Sequence, residues 1–160
     1  KPKSIGHSAT AEKDLTEENE IFAAFLGFSE GISNKLKQEN LLANTIVISV
    51  LTNNFESREY RTGLSSPTDI SMTIAKKAME LFKKNNCLSV PLRAVGVRVV
   101  NLVDNANAMQ LNLIEDITGG VDNVIEDNIL KIRKKYGKNS LKRAVCMNNK
   151  AIPSSPGFKK

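Results

Sequence analysis

Two runs rich in β-branched residues limit what this chain can fold into. Residues 44–51 (NTIVISVL) and 90–103 (VPLRAVGVRVVNLV) are too short and too dense in Val and Ile for buried helices, so both are expected to be strands. Each follows a segment with helical periodicity. In residues 16–38, Phe22, Phe25, Leu26, Ser29, Ile32 and Leu36 mark one buried face. Glu17, Glu18 and Glu20 sit where a helix start favours negative charge, and Lys35 and Lys37 where its end favours positive charge. Gly27 and Gly31 cost that helix about 1 kcal/mol each relative to Ala, which points to close packing against a sheet. Further along, Ser66-Pro67-Thr68-Asp69 has the layout of a helix start: a cap, a proline in the first turn and an acid three residues after the cap. Ile70, Ile74, Ala78, Leu81 and Phe82 supply the apolar face, and Asn85-Asn86 end the helix.

Residues 4–12 tolerate a strand, and Thr52-Asn53-Asn54 supplies turn chemistry before a polar strand over residues 56–64. The order is therefore β-α-β-β-α-β, an α+β domain with a four-stranded sheet, two helices on one face and the other face open. A C-terminal amphipathic helix is expected over residues 121–136, through Val121, Ile125, Ile129, Ile132 and Tyr136. The expected division is a folded domain over 1–104, a linker over 105–120, and a helix with a basic, partly disordered tail over 121–160.

Charge is uneven. Residues 1–103 carry 13 basic and 11 acidic side chains, whereas residues 104–160 carry 10 and 6, with every basic one of the latter at or beyond Lys131. The net +6 thus belongs mostly to the tail. No apolar run approaches the roughly 18 residues of a membrane helix, and residues 1–8 lack the apolar core of a signal peptide, so no membrane partner and a cytoplasmic location are expected. Cys87 and Cys146 lack metal-ligand spacing, His7 is the only histidine, and no metal is expected in this segment. The acids Asp104, Glu115-Asp116 and Glu126-Asp127 have no strand-turn framework that would make them catalytic.

More informative is where the arginines fall. All four in residues 1–103, Arg58, Arg61, Arg93 and Arg98, lie in the third and fourth expected strands. Rigid guanidinium forks on an open sheet face suit phosphate recognition, and cross-strand pairing with Glu56 or Glu59 is the competing reading. Positions 58 and 61, or 93 and 98, point to opposite faces of a regular strand; a bulge at Gly96 could realign the second pair, and nothing comparable realigns the first.

Lys3-Ser4-Ile5-Gly6, Arg58 to Thr62 with Leu64 and Ser66-Pro67-Thr68, and Pro91 to Val99 (PLRAVGVRV) resemble, in that order, the landmarks of the little-finger domain of bacterial Y-family lesion-bypass DNA polymerases of the UmuC/DinB group. The resemblance covers residues 1–137. It implies a four-stranded sheet backed by two helices that sits in the DNA major groove and grips phosphates on both strands. Arg58, Arg61, Thr62, Arg93 and Arg98 would be the phosphate contacts, with backbone amides around Ser4 and Ile5. Gln110-Leu111-Asn112-Leu113-Ile114 resembles the Q-L-x-L-F peptide that binds the sliding clamp, with Ile114 where Phe is usual and Gln110, Leu111, Leu113 and Ile114 as contacts.

These resemblances imply a non-catalytic fragment of a DNA-directed DNA polymerase. Its partners would be primer-template DNA, the sliding clamp and the other domains of the parent enzyme. Mg²⁺ would be held by acids of the parent's palm, with no cofactor in this segment. An RRM-like RNA-binding module shares the element order, but the first strand has no Phe or Tyr and the third offers only Tyr60. A ferredoxin-like regulatory domain would need pocket residues that the sequence does not display.

Overall fold

The computed structural model describes residues 2–105, 119–137 and 139–147. The Gln110–Ile114 peptide and the end of the tail lie outside them. The elements run β1 (Ser4–Leu15), α1 (Glu18–Gln38), β2 (Leu41–Thr52), β3 (Ser57–Thr68), α2 (Ser71–Lys84), a 3-10 turn (Cys87–Ser89), β4 (Leu92–Asp104), α3 (Gly119–Tyr136) and α4 (Ala144–Met147). The expected α+β order holds. The four strands form one antiparallel sheet in the order β1-β4-β2-β3, so the two most β-branched runs occupy the centre and β1 and β3 the edges. A central strand is paired along both edges, and dense Val and Ile suit that environment.

Alternation along the strands separates two faces. Ile46 and Ile48 of β2 and Val95, Val97 and Val99 of β4 point to the side covered by α1 and α2, where they join the core cluster. Phe25 of α1 and Phe82 of α2 meet edge to face, ring centroids 5.8 Å apart at 79°, and pin the two helices together over the sheet. Gly31 is the point of closest approach: a Cβ there would stand 3.0 Å from Nε2 of His7 on β1. Gly27, by contrast, has nothing within 4 Å of such a Cβ, so the expected close packing holds at Gly31 only. Burial of His7 against this helix lowers its pKa below the usual imidazole value.

The helix start expected at Ser66 is not used. β3 runs on to Thr68, which pairs with Ala43, and α2 begins at Ser71 with Ile70 at its cap. Pro67 is tolerated there because β3 is an edge strand and the ladder shifts between Ala43 and Thr45, so no partner needs its missing N–H. Thr68 Oγ1 accepts the Ile70 amide at 3.1 Å instead. Asp69, which the cap pattern would have used, pairs with Lys37 of α1 at 3.5 Å.

Helix α3 docks on α1 and α2 with its polar side. Glu126, 5 % exposed, accepts from Ser33 Oγ of α1 at 3.2 Å, from Ser71 Oγ of α2 and from the Met72 amide at 3.3 Å. Arg133 and Arg143 both reach Glu30 of α1, at 3.0 and 2.9 Å, and Asp127 pairs with Lys37 at 3.0 Å. Burial works against the Lys37 ammonium, but Asp127 and Asp69 outweigh it and raise its pKa. Ile125, Ile132 and Tyr136 of the amphipathic stripe face solvent.

Candidate nucleic-acid interface

Register places the side chains of the open face in rows across the sheet. Gly6, Arg98, Val47 and Arg61 form one row; Ser8, Gly96, Ser49 and Glu59 form the next. Arg61 and Arg98 thus project from the same face, two strands apart, with Ser4 exposed at its β1 edge. Arg98 reaches across β2 to Glu59, its Nη2 lying 3.3 Å from Oε1 and 3.2 Å from Oε2. Val47 lies beneath and is only 7 % exposed although it faces away from the helices. Arg61 has no ion-pair partner among the described residues.

The cross-strand pairing weighed from the sequence therefore exists, and its strength decides what it means. Both Arg98 and Glu59 are about half exposed, and such pairs contribute roughly 0–1 kcal/mol. A charge-assisted hydrogen bond to a phosphate contributes about 1.5–3 kcal/mol, so an arriving phosphate can take Arg98 from Glu59.

The bulge that realigns Arg93 with Arg98 lies at Arg93 rather than at Gly96. Leu51 pairs with Ala94 and Thr52 with Leu92, which leaves Arg93 as the extra residue. Leu92 and Val95 are both buried in the core, so the two residues between them turn away from the helices. Gly96 has a different reason to be glycine: a Cβ there would lie 2.6 Å from Ser49 Oγ and 2.8 Å from Ser8 Cβ, on the strands either side.

Other candidates lie elsewhere. Ile5 is buried in the core, so only its backbone on the β1 edge is available for a ligand. Arg58 and Thr62 alternate to the helix side with Tyr60. Arg58 there pairs with Glu56 at 2.9 Å, which raises its pKa. The Thr62 hydroxyl donates to the Gly63 carbonyl at 3.4 Å. Sequence reading missed Phe55, which stands exposed at the β2–β3 turn with the Arg93 guanidinium 5.5 Å from its ring centroid. Its only sequence signal was an aromatic directly after a turn pair, Asn53-Asn54. Among the described residues, no group of three or more His, Cys, Asp or Glu side chains converges to hold a metal ion. No helix among them is long and apolar enough to cross a membrane.

Residues 2–113 match the family described as the impB/mucB/samB family C-terminal domain. The chain belongs to that family. This impB/mucB/samB C-terminal domain is 31 % identical over 151 residues to DNA polymerase IV of Acetivibrio thermocellus and 27 % identical over 146 residues to DNA polymerase IV 1 of Bacillus subtilis. The alignments take in 94 % and 91 % of this chain but only 38 % and 35 % of those proteins. The chain therefore spans less than two fifths of either relative. Among solved structures, the fold matches the little finger domain of PolIV in complex with the beta-clamp processivity factor (TM-score 0.52, 15 % identity, 61 % of this chain and 86 % of that one). It also matches Dbh DNA polymerase in an insertion ternary complex (TM-score 0.56, 14 % identity, 64 % of this chain and 29 % of that one). The little-finger resemblance is thereby shown.

The same topology removes support from the RNA-binding alternative. Strands β1 and β3, which would carry its stacking aromatics, stand at opposite edges with β4 and β2 between them and form no contiguous platform.

Proposed function

We propose that this domain grips primer-template DNA through backbone phosphates laid across the open face of its sheet, as the non-catalytic part of a translesion DNA polymerase. The observation that carries the reading is the placement of Arg61 and Arg98 in one row of that face, with Arg93 turned to the same side by the bulge. Two relatives are DNA polymerases IV and one structural neighbour is a polymerase ternary complex, which supports it. Polymerisation and its Mg²⁺ would belong to the rest of the parent protein, acting on damaged DNA in the cytoplasm. Ser4, the Ile5 backbone, Arg58 and Thr62 would be secondary contacts reached around the edges of the sheet.

Binding to duplex DNA is expected to be independent of sequence and steeply salt-dependent. Three arginine-phosphate contacts at about 0.9 each give a log-log slope near −2.7, or roughly a 40-fold loss of affinity between 50 and 200 mM salt. Titration by fluorescence anisotropy measures that slope, and an affinity flat across this range would overturn the reading.

Gln110, Leu111, Leu113 and Ile114 are proposed to tether the domain to the sliding clamp as an extended peptide whose apolar side chains fill adjacent pockets. A structural neighbour of this fold is a complex with the beta-clamp, which supports the tether. Gln110→Ala with Leu111→Ala is expected to abolish co-migration with clamp on gel filtration while leaving DNA affinity intact. Retained co-migration would contradict the assignment.

A further inference from the structure

We propose that Phe55, backed by Arg93, is a stacking platform for an unpaired nucleobase of the DNA that the open face holds; the inference rests on that DNA-binding reading. Three separate features meet at this end of the sheet. Phe55 has φ +64°, the left-handed region that a bulky side chain rarely adopts and that Gly or Asn would occupy at lower cost. Asn53 and Asn54 immediately precede it, yet the aromatic residue holds the strained position. The turn is fixed around it: the Phe55 amide donates to the Thr52 carbonyl at 3.0 Å, Glu56 donates to Thr52 Oγ1 at 3.1 Å, and Asn53 donates to the Pro91 carbonyl at 3.0 Å. That last bond ties the turn to the start of β4.

The second feature is the bulge, which turns Arg93 out of the core and sets its guanidinium 5.5 Å from the Phe55 ring centroid. The third is exposure. Phe55 is 71 % exposed, so apart from the Arg93 contact its ring is apolar surface open to solvent among the described residues. A cation on an aromatic ring strengthens the ring's stacking on a base, and every base offers a π face whatever its identity. Position also fits. Ala94, beside the bulge, and Arg98 are four residues apart on β4, roughly 13 Å at about 3.3 Å per residue, and thus about four stacked base steps. A duplex held at Arg98 and Arg61 would bring its single-stranded extension into reach of the ring.

The test compares a blunt duplex with the same duplex carrying a single-stranded template extension, using the 160-residue chain. The extension is expected to tighten binding by the wild-type chain roughly 5- to 150-fold, the range for one stacked base. Phe55→Leu, which keeps apolar bulk but cannot stack, is expected to lose that gain and to bind blunt duplex unchanged, whereas Phe55→Trp keeps the gain. Phe55→Gly is expected to lose the gain while raising the melting temperature by a few degrees, because glycine relieves the left-handed backbone. Stability and binding then move in opposite directions, which a purely structural role does not produce. The proposal is overturned if the extension adds nothing to wild-type binding, or if Phe55→Leu keeps the gain, as it would were the ring an apolar contact for another protein surface. Failure of the wild-type chain to bind even blunt duplex would overturn the DNA-binding reading and this inference with it.

Discussion

Phe25→Ala is expected to lower the free energy of unfolding by about 3–5 kcal/mol, the largest single-residue stability effect in this domain. Phe25 is fully buried, and its ring lies edge to face on Phe82, so truncation removes apolar burial, opens a cavity and breaks the aromatic contact between α1 and α2. Phe82 and the cluster members Ile21, Ile32 and Ile74 are themselves buried on α1 and α2, so filling the space would move side chains that are already packed in the core. For a domain of this size a urea slope near 2 kcal/mol/M converts the loss into a midpoint shift of about 2 M. Phe55→Ala makes the contrast, since a residue 71 % exposed should change stability by less than about 0.5 kcal/mol. A shift for Phe25→Ala no larger than that of Phe55→Ala would mean that the two helices are not held by this core.

Such contrasts trace to what hydrophobic pattern encodes and what it does not. The order of elements was legible because Phe22, Phe25, Leu26 and Ile32 repeat at the helical period in α1, while residues 90–103 are too short and too dense in Val for a buried helix. Strand order was not legible, because β1 and β4 lie some ninety residues apart and period 2 carries no information about neighbours. The Ser66-Pro67-Thr68-Asp69 pattern misled because capping chemistry is local, while the pairing of Thr68 with Ala43 is a tertiary contact that extends β3 past it. Likewise α3 reads as an amphipathic helix, yet among its described side chains the buried one is the carboxylate of Glu126. The donors that satisfy Glu126 come from Ser33 and Ser71, on two other helices.

At the candidate site the residue types were legible and their directions only partly so. Arg58 and Arg61 do point to opposite faces, as alternation required. Arg93 and Arg98 share a side, but through a bulge at Arg93, because Gly96 is occupied with admitting Ser49 and Ser8. Pairing of a strand arginine with Glu56 or Glu59 was legible as an alternative, but not that Arg98 would hold Glu59 across an intervening strand, since that contact needs the order β4-β2-β3.

The second large effect concerns which face meets DNA. Arg61→Glu with Arg98→Glu and Lys76→Glu with Lys134→Glu change net charge equally, but the first pair lies on the open face of the sheet. Lys76 and Lys134 are exposed on helices α2 and α3, which lie on the other side. Two lost charge-assisted contacts at about 1.5–3 kcal/mol each predict an affinity loss of at least 100-fold for the open-face variant. Loss of overall charge alone predicts only a few-fold change, reduced further at physiological salt where the screening length is about 8 Å. The measurement is duplex-DNA affinity of the two variants side by side at 150 mM salt, with thermal melts confirming that both remain folded. A loss of at least 100-fold confined to Arg61→Glu with Arg98→Glu is the predicted result, and equal losses in the two variants would contradict the open sheet face as the DNA-gripping surface.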